Sequence, residues 1–205
     1  MDLPPLPTDG SPERLAQQLG FVVEIDRLKT VLRRTLIADR SRRENTAEHS
    51  WHIAVSALLF AEHAGEEVDL SRVVRMLLVH DVVEIDAGDT FAYDEVGYED
   101  KAERERAAAE RIFGLLPADQ GAELRALWDE FEERQTAEAR FANAVDRLQP
   151  MLHNFLTEGH AWRQHGVTAT QVRERNRTIA EGAPELWRFA ERMIDQAVER
   201  GYIDE

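Results

Sequence analysis

The sequence predicts an all-α protein built as a single helical bundle. Apolar residues recur at the three- and four-residue spacing of helices, and no alternating apolar–polar segment of useful length interrupts them. The chain has 205 residues with only 11 Gly and 7 Pro, which suits one compact domain with a sizeable core. We expect about eight or nine helices. Residues 1–10, rich in proline and polar groups, are expected to form a flexible lead-in, and residues 11–205 a single domain.

The first elements follow from local signals. Ser11 and Pro12 are typical of a helix start, with serine as N-cap and proline at the first helical position. The segment from Phe21 to Leu36 has apolar residues at helical spacing, which predicts a helix. Asn45 or Thr46 is expected to cap the next helix.

Capping and turn residues also mark the ends of the later predicted helices. Asp69 predicts the start of a helix that runs through Val82, and the segment 86–94, which holds Gly88, predicts a loop. Further helical patterns cover residues 99–116, 119–134, 137–158, 170–180 and 184–200.

The charge of the chain disfavours nucleic-acid polymers as partners. The formal net charge is −15, and such a surface repels a phosphate backbone. A small phosphorylated ligand is still compatible with this charge if a local basic patch or a metal attracts it. One arginine cluster exists, and its simplest interpretation is a solvated surface. The cluster consists of Arg33, Arg34, Arg40, Arg42 and Arg43.

Composition also narrows the kind of site and the compartment. The chain has no cysteine, which excludes disulfides and thiolate metal sites. No apolar run approaches the roughly 20 residues of a membrane span, so no membrane association is expected. The N-terminus lacks the basic and apolar regions of a secretory signal. A cytoplasmic location is therefore expected.

One dipeptide carries the strongest chemical signal. His80 and Asp81 stand side by side near the end of an otherwise apolar helical segment, where both are costly to bury without partners. Imidazole and carboxylate are natural ligands for Mn, Fe, Co, Ni or Zn. An isolated pair of this kind is more often a hydrogen-bonded core histidine beside a turn aspartate.

The pair is accompanied by other polar residues in informative places. Upstream lies the segment Arg43–His52, which contains His49. Downstream, Asp146 interrupts an apolar stripe on a predicted helix, where an aspartate needs a partner. An ion pair with a neighbouring arginine is the structural alternative for Asp146.

These elements together resemble the HD-domain metal-dependent phosphohydrolases. The order His…His-Asp…Asp is that of the superfamily. The Glu-Asn-x-x-Glu-His-Ser, His-Asp-x-x-Glu and Gly-Asp-Thr elements are similar to its 5′-deoxynucleotidase branch. The resemblance spans roughly residues 20–160 and implies a helical HD-domain bundle. It implies one divalent cation (Mn, Co, Fe, Ni or Zn) held by His49, His80, Asp81 and Asp146. The implied reaction is hydrolysis of a phosphate monoester, most simply a (deoxy)nucleoside 5′-monophosphate.

The resemblance also implies residues beyond the metal ligands. Glu84, four residues after His80, is expected on the same helix face, where it can move a proton. Asp89 and Thr90 resemble positions that line the substrate pocket. Arg34 resembles a phosphate-binding arginine, and it is followed here by Thr35 where some relatives carry tryptophan.

Several alternatives stay open from the sequence alone. His52 and His153 are rival or supporting ligands. A regulatory protein that binds metal without catalysis and a hydrolase of nucleoside triphosphates are alternative functions, and a homodimer is possible. No histidine lies between His80 and Asp146, which argues against a two-metal oxygenase. The chain also lacks the Glu-x-x-His pairs that a ferritin-like di-metal bundle would need. Since histidine ligands must be neutral, we expect activity to fall below about pH 6.

Overall fold

Helices form nearly all of the regular structure in the computed structural model, which describes residues 6–8 and 10–205. The chain opens with α1 (Glu13–Ile25), followed by a hairpin of β1 (Leu32–Leu36) and β2 (Arg43–Asn45). The helices that follow are α2 (Thr46–Phe60), α3 (Leu70–Val79), α4 (Glu84–Ala87), α5 (Glu95–Tyr98), α6 (Lys101–Phe113), α7 (Ala118–Glu133), α8 (Ala137–Leu156), α9 (His160–Gln164), α10 (Ala169–Asn176), α11 (Ile179–Gly182) and α12 (Pro184–Glu199). Within the described ranges, eight helices have eight or more residues, and the predicted all-α class is confirmed.

The domain boundaries predicted from the sequence stay predictions. Residues 1–5 and 9 lie outside the described residues, and they make up most of the expected lead-in at 1–10. The interpretation of residues 11–205 as one domain is likewise a prediction. In the described ranges, no helix combines the length and apolar character that a membrane crossing requires.

The predicted helix from Phe21 to Leu36 is wrong in its second half. Helix α1 ends at Ile25, a 3₁₀ turn covers Asp26–Thr30, and the chain then becomes strand β1. This strand pairs antiparallel with β2, with Leu32 opposite Asn45. Short apolar runs fit a helix or a strand equally well by spacing, and the choice depends on a partner strand elsewhere in the chain.

Two of the predicted helix starts are confirmed by their capping bonds. At α2, the Asn45 side chain accepts a hydrogen bond from the Glu48 amide at 3.0 Å, and Glu48 Oε1 accepts one from the Asn45 amide at 2.7 Å. This reciprocal capping box satisfies two amides that the helix leaves without partners. At α3, Asp69 Oδ1 accepts from the Arg72 amide at 3.2 Å.

Helix α8 is the centre of the larger core. Its residues Phe141, Ala144 and Leu148 are almost completely buried among side chains of α2, α3, α11 and α12. A smaller core joins α1 and α6 to Val82 and Val83, which follow α3. Because α2 and α3 both pack beside α8, polar side chains on these three helices can meet within the core.

Candidate metal centre

Four predicted ligands converge from three helices. His49 lies on α2, His80 and Asp81 directly follow α3, and Asp146 lies on α8. Asp146 Oδ1 is 3.0 Å from His49 Nε2 and 3.7 Å from His80 Nε2. Asp81 Oδ2 is 3.1 Å from His80 Nε2 and 3.8 Å from His49 Nε2. The structure therefore brings together all four residues that the sequence singled out.

Hydrogen bonds orient both imidazoles toward the carboxylates. His80 Nδ1 lies 2.9 Å from the carbonyl oxygen of Leu77, and His49 Nδ1 lies 3.1 Å from Gln149 Oε1. Both partners are acceptors, so each Nδ1 carries the proton and each Nε2 presents its lone pair. Two lone pairs and two carboxylates then face one point.

A divalent cation fits this donor set. His80 Nε2 is buried and has no hydrogen-bond partner, which is costly unless a cation or proton lies beside it. Ligand atoms of His49, His80 and Asp81 all lie within 4.8 Å of one another. Two imidazole nitrogens with carboxylate oxygens suit Mn, Fe, Co, Ni or Zn. The residues present therefore fit a divalent metal.

The pKa shifts of the clustered side chains also favour a bound cation. Burial lowers the pKa of the His80 imidazole, but Asp81 and Asp146 outweigh it and raise that pKa well above its ordinary value. Burial would raise the pKa of Asp81, yet His80 and Arg33 lower it to about 2. The pKa of Asp146 is also held well below its usual range, against burial, by its hydrogen bond to His49 and by the nearby charge of His80. The centre thus favours positive charge between ionised carboxylates.

Gln149 supports His49 from behind and separates it from a second cluster. Its Nε2 donates to Glu44 Oε1 at 2.5 Å and lies 3.1 Å from His52 Nδ1 and 3.4 Å from both ring nitrogens of His153. Among the described residues, Glu44, His52 and His153 form a group of their own, distinct from that of His49 and His80. The two rival histidines therefore belong to the network that holds Gln149.

Replacing Gln149 with methionine is expected to weaken metal binding by about 10–100-fold, because His49 loses the acceptor that fixes its tautomer and orientation. The measurement is a competition titration of metal against a chromophoric chelator. Gln196→Met, at an exposed position on α12, is the matched control and should leave the affinity unchanged. Equal affinities in the two variants would contradict the supporting role of Gln149.

Arg33 is a site residue that the sequence reasoning missed. Its Nη1 donates to Asp81 Oδ2 at 3.0 Å and lies 3.8 Å from Asp89 Oδ1, and its Nε lies 3.6 Å from Glu44 Oε2. Alternation along β1 places Arg33 inward, and a strand prediction would have provided this signal. Arg34 is more exposed and lines the mouth of the same cavity, and its phosphate-binding role stays a prediction.

Glu84 lines the cavity, although not on the helix that was expected. Helix α3 ends at Val79, a turn of hydrogen bonds between residues three apart follows, and Glu84 begins α4. Thr46 Oγ1 donates to Glu84 Oε2 at 2.9 Å. Burial, reinforced by the charge of Asp81, raises the pKa of Glu84 well above its ordinary value. A buried carboxyl that keeps its proton can serve as an acid.

Asp89 and Thr90 line the same cavity, as the sequence predicted. Burial raises the pKa of Asp89, while Arg33 opposes the rise. Thr90 Oγ1 lies 3.4 Å from the Arg104 Nη2 donor, which ties this loop to α6. Their contact with substrate stays a prediction.

Comparisons with known proteins agree with this architecture. A solved structure from Magnetospirillum magnetotacticum MS-1, described as a predicted metal-dependent phosphohydrolase, is 60% identical with a TM-score of 0.90, covering 94% of this chain and 96% of that one. A conserved hypothetical protein from Pyrococcus furiosus has a TM-score of 0.60 at 19% identity, covering 88% of this chain and 99% of that one, and shares the fold.

Relatives with a named activity match a shorter segment. Human and bovine proteins named 5′-deoxynucleotidase HDDC2 are 33% and 34% identical to this chain over 135 residues, 65% of its length. The chain spans 65% and 64% of the length of these two proteins, slightly less than two thirds. The HD domain family matches residues 25–187, well over half of the chain. This chain therefore belongs to the HD domain family.

Proposed function

We propose that the protein is a divalent-metal-dependent phosphohydrolase that acts on phosphate monoesters, most simply (deoxy)nucleoside 5′-monophosphates. One observation carries the proposal. Two oriented imidazoles and two carboxylates meet at a cavity that is also lined by Arg33 and by Glu84, a buried carboxyl group with a raised pKa. The metal-dependent phosphohydrolase and 5′-deoxynucleotidase names of the relatives support the same reaction class.

The metal would be held by His49, His80, Asp81 and Asp146. When bound, it would supply a Lewis acid for the phosphate and lower the pKa of a coordinated water. Every other contribution comes from side chains. Hydrolysis of a phosphate monoester needs positive charge for the phosphate and a proton for the leaving oxygen. Side chains that line the cavity can supply both.

Arginines provide the fixed positive charge of the cavity. Arg33 is permanently charged, since Asp81, Asp89 and Glu84 together overcome its burial and raise its pKa above the ordinary value. It holds Asp81 in place, while Arg34, an exposed residue that lines the same cavity, would meet the phosphate oxygens. Preorganised positive charge of this kind stabilises the developing negative charge of the transition state.

Glu84 is the proton donor in this proposal. Its raised pKa favours the protonated form that a proton donor needs, and Thr46 fixes the position of its carboxyl group. A leaving alkoxide needs a proton as the P–O bond breaks, and a carboxylic acid beside the metal can deliver it.

The test is phosphate release from a panel of ribo- and deoxynucleoside 5′-monophosphates and triphosphates. We expect release from monophosphates with added Mn or Co, loss of activity to background after chelation with EDTA, and recovery when metal is returned. Circular dichroism of the chelated protein checks that the fold persists. Release that is unaffected by chelation would contradict the metal site, and metal binding without release from any ester would indicate a regulatory role.

The pH–rate profile is expected to be bell-shaped. On the acid side, protons compete with metal for His49 and His80, whose pKa values are both raised in the metal-free chain. On the alkaline side, the rate falls as pH rises through the raised pKa of Glu84, because the acid loses its proton. Glu84→Gln should be slow and should lack the alkaline limb. A wild-type rate that stays flat down to pH 5 would argue against histidine ligation.

A further inference from the structure

Three further arginines, besides Arg33 and Arg34, line the cavity of the metal centre. Arg134 caps the end of α7, Arg147 lies on α8 directly after Asp146, and Arg175 lies on α10. All three line the same cavity as His80 and Asp81. We call Arg134, Arg147 and Arg175 the arginine triad.

The triad has no carboxylate partner within 4.0 Å among the described residues. Arg147 Nη1 donates to the carbonyl oxygen of Arg175. Arg175 donates to the hydroxyl oxygen of Tyr98, and its guanidinium lies 5.0 Å from the centre of that ring. Arg134 Nε is buried without any hydrogen-bond partner. The chain has 40 acidic residues against 25 basic ones, so three arginines left together without an acid need a reason.

Nearby charges do not neutralise the triad. Glu105 is paired with Lys101, another residue that lines the cavity, at 2.8 Å. Glu132 lines the cavity but has no atom within 4.0 Å of a triad guanidinium in the described part of the chain. Asp146 directs its Oδ1 toward His49 and His80. In the described part of the chain, the triad therefore forms a positive wall of the cavity in which no guanidinium group is paired with a carboxylate.

The three charges repel one another at some cost. Arg134 also has a left-handed backbone, with φ of 55°, where glycine or asparagine is favoured. Such costs are offset when an anion occupies the space between the guanidinium groups. Phosphate is the anion that clustered arginines bind best.

Resting on the proposed function, we propose that the arginine triad binds a second phosphate group of the substrate, so that the preferred substrates are nucleotides with two phosphates. The phosphate at the metal centre is hydrolysed. Water adds to its phosphorus, the ester P–O bond breaks, and the leaving oxygen takes a proton. The phosphate on the triad is retained in the product. A nucleoside 3′,5′-bisphosphate has this chemistry.

The test compares kcat/KM for phosphate release from a nucleoside 5′-monophosphate with that for the 3′,5′-bisphosphate of the same nucleoside. We expect the wild-type protein to prefer the bisphosphate at least about tenfold, which corresponds to about 1.4 kcal/mol of added binding. The preference should shrink as salt is raised, because screening weakens the contact. The kcat/KM for a nucleoside 5′-diphosphate shows whether the triad binds a second phosphate attached to the sugar or one attached directly to the first phosphate.

Arg134→Asn is the first variant, because asparagine tolerates the left-handed backbone while removing the charge. The ratio of the two kcat/KM values should fall from about ten to about one. Arg177→Gln, an exposed position two residues after Arg175 that lies outside the cavity lining, is the matched control and should keep the wild-type ratio. Arg175→Gln is a second variant in case the first does not fold.

Calorimetric binding of both nucleotides in EDTA, where turnover is blocked, separates this inference from the proposed function. Tighter binding of the bisphosphate that Arg134→Asn abolishes supports the triad even if no ester is hydrolysed. A wild-type ratio near one with ordinary monophosphate turnover overturns the triad and leaves the proposed function intact. A bisphosphate preference that survives both arginine variants also overturns it.

Discussion

Replacing Asp81 with asparagine is expected to lower kcat/KM for phosphate release by at least about 10³-fold, equivalent to about 4 kcal/mol of transition-state stabilisation. Asparagine keeps the size of the side chain and removes the charge that faces His80 and His49 at 3.1 and 3.8 Å. It also removes the carboxylate that lies 3.0 Å from the buried Arg33 guanidinium. The metal should therefore be lost, and Arg33 should lose its nearest carboxylate partner, keeping only the more distant Glu44 and Asp89.

Two measurements separate these effects. Elemental analysis reports bound metal, and thermal unfolding reports the stability cost of removing the closest charge partner of Arg33. Asp195→Asn is the matched control, since Asp195 is exposed and its ion pair in the described part of the chain is with Arg173 near the surface, where such pairs contribute little. If the Asp81→Asn protein kept full metal content and wild-type turnover, Asp81 would not be a ligand.

Gly182→Ala is expected to lower the free energy of unfolding by about 3 kcal/mol, the upper range for overpacking a closed core. A Cβ at Gly182 would lie 2.1 Å from the carbonyl oxygen of Arg140 and 2.7 Å from the amide nitrogen of Phe141. Both contacts are with the backbone of α8, which cannot yield as a flexible side chain does. The substitution must push α11 away from the helix that carries Asp146 and Gln149.

Thermal unfolding is the direct readout, and the expected fall in Tm is roughly 6–12 °C for a chain of this size. Gly20→Ala is the matched control, because a Cβ there meets nothing within 4 Å. Gly20 lies within α1, where alanine should instead stabilise by about 0.5–1 kcal/mol. Similar Tm values for the two variants would contradict the close approach of α11 and α8.

The helical bundle and the four candidate ligands could be predicted from the sequence because their signals are local. Helical spacing and capping residues act over a few positions, so Asn45 and Asp69 mark helix starts that the structure confirms. The adjacent His80 and Asp81, and an aspartate inside an apolar stripe, are costly when buried alone. That cost makes such residues visible without any knowledge of their partners.

The hairpin and the identity of the buried arginine could not be predicted from the sequence. Residues 32–36 fit a helix by spacing, and only the pairing of Leu32 with Asn45 makes them a strand. That pairing turns Arg33 toward Asp81 and leaves Arg34 at the cavity mouth. A one-residue difference in a strand reverses which side chain faces inward, so the arginine cluster alone could not assign the buried member.

The sequence by itself determined the fold class, the candidate ligands and the resemblance to HD-domain hydrolases. Only the tertiary structure decided which groups surround them. Gln149 meets Glu44 across 105 positions, and the arginine triad comes from three separate helices. Periodicity reports which face of a helix is buried. It does not report which helix lies opposite, because that depends on packing among residues far apart in the chain.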